Sequence, residues 1–333
     1  MRSASPVLAG PGGPVVEAPF DRAPLVAPLR MNSHKGKMSS NPILKRLGFS
    51  ATDRLVITHG DDIGMCHASI QAYEDLFDFG TLKSGAVMVP CPWFPAAAEM
   101  QKRVPAYDLG VHLVLTSEWD CYRWRPLTAG ITGSSLVDDE AFFPRSDSEV
   151  QERADPDEVG AELLAQVQRA LGFGIDVTHI DTHMGAVAHP KFIPTYVQLA
   201  TKFQLPPLIT KGDVEMYKSF GMDEETAKFL VMLTASLEEQ GIVLVDSAIG
   251  MPLDAPDGQM EVAKKMFGDL KPGLTHFILH PSIDTPELRA ITPDWESRVA
   301  NYDVFQSDAF KQFLEAEDIK LIGYREVREA IRR

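Results

Sequence analysis

Short apolar, β-branched runs alternate with amphipathic helical stretches along this chain, which points to an α/β fold: a TIM-barrel-like (β/α) barrel, distorted or incomplete in places. Two further observations support a barrel. About eight strand candidates interleave with helices, which suits a barrel better than the alternative, an open doubly wound sheet. Five segments also place an acidic or imidazole side chain at or just beyond a strand candidate: His59-Gly60-Asp61-Asp62, Gly110-Val111-His112, His179-Ile180-Asp181-Thr182-His183, Val245-Asp246 and Leu279-His280-Pro281. In a parallel sheet or barrel such strand ends gather on one face around one pocket. The pattern is that of a metal-assisted hydrolase site.

Residues 1–40 are rich in Pro, Gly, Ala and Ser with no sustained period, and read as a poorly ordered or extended N-terminal arm; residues 41–333 read as one barrel-like domain. Strands are expected over 55–58, 85–89, 109–113, 177–182, 207–210, 242–245, 275–279 and 319–322, each a short apolar run bounded by turn residues. Apolar residues at helical spacing place helices over 68–79, 156–171, 190–203, 223–240, 258–267, 303–315 and 327–331. Between about 116 and 154 the periodicity breaks, and long loops in compact domains are usually functional or disordered. Trp119, Tyr122, Arg123, Trp124, Arg125, Phe142 and Phe143 favour a substrate-facing lobe there.

With 333 residues and 44% hydrophobic content, the chain can bury a full-sized core. A net charge of -15 argues against nucleic acid and anionic membranes as partners, and leaves a small neutral ligand such as a sugar open. Cys66, Cys91 and Cys121 show no paired spacing, which fits a reducing cytoplasm better than a disulfide framework. No apolar run approaches the roughly 20 residues that span a bilayer, and the N-terminus lacks a compact apolar core before a small-residue cleavage site. The expectation is a soluble cytoplasmic protein. A homodimer or larger homo-oligomer is expected on general grounds only. GxSxG, GxxxxGK[ST] and HExxH are all missing, which sets serine-nucleophile, P-loop and zincin chemistry aside.

Adjacent carboxylates leaving a strand point in different directions, so one of Asp61 and Asp62 can bind a divalent cation while the other takes a proton from bound water; a helix N-cap is the bland alternative. His112 stands in an otherwise apolar strand, as a ligand or as a buried, backbone-bonded histidine. His179, Asp181 and His183 share one face of an extended strand, and three inward polar groups are costly unless each has a partner. A metal held by one imidazole, with a neighbouring carboxylate fixing a tautomer, satisfies them; an exposed edge strand is the alternative. His280 can protonate a leaving amine, with Asp284 or Asp246 holding its charge state, and His276 reads as structural. Arg298 and Trp295 line a pocket or make surface contacts, the latter reading being slightly preferred.

Taken in order, His59-Gly60-Asp61-Asp62-Ile63-Gly64, Met88-Val89-Pro90, Asp108 to Thr116, Thr178 to His183 and His280-Pro281 resemble the YdjC-like carbohydrate deacetylase family, from about residue 55 to about 298. The resemblance implies a TIM-barrel-like fold and metal-dependent hydrolysis of an N-acetyl group on an amino sugar or small N-acetylated oligosaccharide, with one divalent metal ion, magnesium or zinc. It further implies Asp62, His112 and His183 as metal ligands, Asp61 as general base and His280 as general acid. His179, Asp181, Trp119, Arg125, Asp246, Asp284 and Arg298 are the supporting or substrate-binding candidates. One departure is visible: Met184-Gly185-Ala186 follows His183 where many members carry further histidines. Two other readings are a metal-dependent sugar isomerase or lyase on the same fold, and a non-catalytic carbohydrate-binding protein that uses Trp119, Trp124 and Arg125 to stack on and bond a sugar.

Overall fold

Seven parallel strands organise the chain: β1 (Arg54–Ile63), β2 (Ser84–Val87), β3 (Leu109–Leu113), β4 (Ile180–Thr182), β5 (Ser247–Gly250), β6 (Gly273–Leu279) and β7 (Lys320–Leu321). The computed structural model describes residues 41–333 apart from 129, 131–132 and 220–221, so the expected N-terminal arm lies outside the described residues. Sheet order is β4-β3-β2-β1-β6-β5. The outer strands approach each other through a weakly paired seam, where Ile180 bridges Pro207 and Thr210 bridges Val245 just before β5. The sheet is thus a curled, incompletely laddered barrel. On the edge of β1 away from β6, β7 pairs with Leu55 and Val56 and β2 takes over from His59 upwards.

Residues 207–210 and 242–245 form single bridges where strands were expected. Pro206 and Pro207 bring no backbone N–H to the seam, which prevents a continuous ladder there. The helix expected over 303–315 is two helices, Trp295–Phe305 and Asp308–Ala316, because the Ser307 hydroxyl caps the second by accepting from the Phe310 amide.

Strand alternation sorts the barrel interior by height. At its N-terminal end Leu55, Ile57, Leu274, Ile322, Tyr324 and Val327 pack with Ile43 and Leu44 of the short helix Pro42–Arg46 into an apolar plug. His59, Asp61 and His112 enter the interior above it, towards the C-terminal strand ends. Among the described residues, no helix is long and apolar enough to cross a membrane.

Candidate metal centre

On β1 the two-residue period turns His59 and Asp61 to the interior, above Leu55 and Ile57. A regular strand would then send Asp62 to the opposite face. Instead, the β1–β2 register shifts between Gly60 and Ile63, and Asp62 takes φ 61, a left-handed conformation that a non-glycine residue adopts at a cost. The bulge brings both carboxylates to one pocket: Asp61 Oδ2 and Asp62 Oδ1 lie 3.8 and 3.5 Å from His112 Nε2.

His112 projects from β3, and His183 opens the 3₁₀ turn His183–Ala188 directly after β4. Their facing nitrogens, His112 Nε2 and His183 Nδ1, are 3.2 Å apart, and His183 Nδ1 is 3.2 Å from Asp62 Oδ1. Metal–donor bonds of about 2.1 Å separate neighbouring donors by about 3.0 Å in octahedral and about 3.4 Å in tetrahedral coordination. The three edges of this triangle match that spacing. Asp62 Oδ1 is moreover a buried oxygen with no hydrogen-bond partner, so the donor set fits a divalent cation and leaves an atom in need of one.

Each of the three groups is gripped from behind. Asp181 Oδ1 lies 2.8 Å from His112 Nδ1, Glu118 oxygens lie 3.1 and 3.2 Å from His183 Nε2, and Arg298 Nη1 donates to Asp62 Oδ2 at 2.7 Å. Such partners fix the tautomer and direction of a ligand. Burial opposes charge on His112, but Asp181 and Asp61 overcome it and raise the imidazole to about 9. His183 behaves alike: burial lowers it, while Glu118 and Asp62 raise it to about 10. Burial resists ionisation of Asp62, yet Arg298 and His183 hold its carboxyl well below the usual range. Asp61 is likewise lowered, burial being outweighed by His112 and His59.

His280 follows β6, with Nε2 3.9 Å from Asp61 Oδ2 and its amide donating to Asn301 Oδ1. Burial lowers its pKa against the pull of Asp62 and Asp61, so it rests neutral.

The structure thus brings Asp61, Asp62, His112, His183, Asp181 and His280 together, with His179 one layer deeper against His59. Arg298 corrects the preference for a surface contact: it is buried, pairs with Asp62 and Asp294, and lies over the Trp119 ring. Asp246 is at the wrong end of the barrel, where its carboxylate accepts from Asn41 and from the Leu274 amide near the start of β6. Asp284 pairs with Arg289 on the surface, away from any role on His280. Arg125 donates to the Gly130 carbonyl and, among the described residues, not to a site group. Trp119 and Trp124 are buried and pack together behind His183, so neither is an open platform for a sugar. Glu118 escaped the sequence reading because it sits in an aperiodic loop with no motif; its only signal was its place just beyond the His112 strand.

A parallel α/β barrel with a buried carboxylate–imidazole triad at its strand ends defines a class of protein with a donor set able to hold a metal ion in a polar pocket. The comparisons narrow this: a family model described as YdjC-like protein matches residues 55–316, and the chain belongs to that family. A carbohydrate deacetylase of Thermus thermophilus is 35% identical over 290 residues, covering 87% of this chain and 99% of that one. A carbohydrate deacetylase of Thermoanaerobacter pseudethanolicus is 24% identical over 272 residues, 81% of this chain and 98% of the other. A solved protein of Enterococcus faecalis, named for cellobiose-phosphate cleavage, shares the fold with a TM-score of 0.67 at 21% identity, covering 83% of this chain and 99% of that one.

Proposed function

We propose that this protein is a metal-dependent deacetylase that hydrolyses the N-acetyl group of an amino sugar or small N-acetylated oligosaccharide, with Asp62, His112 and His183 as ligands of one magnesium or zinc ion. The observation that carries the reading is the triangle of converging donors around the unpartnered Asp62 Oδ1. Family membership and relatives named carbohydrate deacetylase support the reaction class. The free thiols of Cys66, Cys91 and Cys121 suit a cytoplasmic site of action.

When bound, a divalent cation supplies Lewis acidity towards the acetamide carbonyl and acidifies a water molecule. Asp61 is the base. Its Oδ1 is held by His59 at 2.7 Å, which leaves Oδ2 to take the proton of the attacking water. His280 is neutral at rest, and the proton collected at Asp61 Oδ2, 3.9 Å away, is the one it returns to the departing nitrogen. Water thereby supplies both the oxygen of acetate and the proton of the amine. Arg298 occupies Asp62 Oδ2 and so presents Oδ1 to the cation.

Replacing Asp62 or His112 with Ala is expected to abolish metal retention and acetate release from N-acetylglucosamine oligomers together. Asp61→Asn is expected to retain metal while turnover falls by about 10²- to 10⁴-fold, the usual scale for losing a general base. Full acetate release by Asp62→Ala protein stripped of metal would remove the proposal.

A further inference from the structure

Below the reacting groups, a row of buried polar side chains continues into the barrel, and the chemistry above makes no use of it beyond His59. Asp61 Oδ1 lies 2.7 Å from His59 Nδ1, and His59 Nε2 lies 2.7 Å from His179 Nε2. His179 Nδ1 is 2.9 Å from Thr178 Oγ1, whose hydroxyl donates to Asp108 Oδ1 at 2.5 Å. His59, His179 and Thr178 expose no surface, and Asp108 almost none.

Counting donors gives this row a direction. Asp108 also accepts from the Ser84 hydroxyl at 3.0 Å and the Arg325 amide at 2.7 Å, so three donors converge on it and it is the acceptor throughout. Thr178 commits its only hydroxyl proton to Asp108, and its oxygen must therefore accept from His179 Nδ1–H. Burial keeps His179 neutral, which leaves its Nε2 bare to accept from His59 Nε2–H. At the top, His59 Nδ1 meets Asp61 Oδ1 at 2.7 Å, so the placement of the His59 ring sets the direction of that carboxylate.

The His179 ring cannot turn to escape this order. Tyr324 stacks on it at 3.9 Å between centroids, and on another side Gly110 leaves room that a Cβ would fill at 2.4 Å from His179 Cε1. We propose that Asp108, Thr178, His179 and His59 form a positioning relay whose ordered hydrogen bonds fix the His59 ring against Asp61 Oδ1 and keep Oδ2 turned to the attacking water. The relay rests on Asp61 being the base of the proposed reaction; the ordering of its protons does not.

Thr178 offers the cleanest test, since Val removes the hydroxyl at nearly constant shape and Ser keeps it. In zinc-loaded protein with ¹⁵N-labelled histidine, His179 is expected as the Nδ1–H tautomer, and Thr178→Val is expected to lose that preference. Thr178→Val should lower kcat about ten- to a hundredfold with KM and bound metal unchanged, the scale of losing an outer partner of a site group, and Thr178→Ser should restore most of it. Wild-type His179 found as the Nε2–H tautomer overturns the relay, and that measurement stands even if the Val variant does not fold. So does a Ser variant no better than Val. A wild-type protein that releases no acetate from any acetylated amino sugar fails the reaction instead, and leaves the tautomer result readable.

Discussion

His112 and His183 each give one ring nitrogen to a carboxylate behind them and turn the other towards the Asp62 oxygen. In metal-free protein the surrounding carboxylates satisfy themselves with protons, which is why the two imidazoles are raised to about 9 and about 10. An unfolded histidine titrates near about 6.5, so these protons stabilise the fold fully below about 6.5, and the contribution is lost as pH rises through about 9 to 10. His179, His276 and His280, lowered chiefly by burial, act in the opposite sense and only below about pH 6.5. A cation takes the place of the protons and does not compete with them at high pH. The unfolding midpoint of chelated protein is therefore expected to fall between about pH 7 and 10 while that of the cation-saturated protein holds, so the gap widens with pH. A gap that stays constant across this range, measured by calorimetry, contradicts the assignment of these histidines.

Each site group owes its place to a strand end, and β3 shows how narrow the tolerance is. Gly110 and His112 lie on the same face, two residues apart; the first makes room for the His179 ring and the second reaches the donor triangle. Gly110→Ala would set a Cβ 2.4 Å from His179 Cε1 on a strand laddered on both sides. With Tyr324 stacked on that ring, relief must come from backbone movement, and the expected cost is about 1–3 kcal/mol in denaturant unfolding. Unchanged stability would show that the ring has space to retreat. Strands such as β1, β3 and β6 were legible because apolar, β-branched runs carried them. The seam at 207–210 was not, since two prolines remove the donors that an apolar pattern alone suggests. Arg298 was misjudged for a similar reason: it reads as a surface residue of a helix until Trp295–Phe305 is packed over the pocket.

At the scale of the molecule, parallel topology did the gathering that the sequence could only imply. Strand ends far apart in the chain converge, so Asp61, Asp62, His112, His183 and His280 could be singled out from their positions in the chain. Register could not be read. His112 stands opposite Asp181 across β3 and β4, and that pairing, invisible in either segment alone, decides which histidine the carboxylate orients. The bulge that swings Asp62 inward is equally a property of two strands together. The proposed chemistry follows from one cation held by the three convergent donors. Anomalous diffraction from crystals of the zinc-loaded protein tests this most directly: one strong peak is expected within bonding distance of Asp62 Oδ1, His112 Nε2 and His183 Nδ1, and a zinc ion bound elsewhere with this triangle vacant would contradict the assignment.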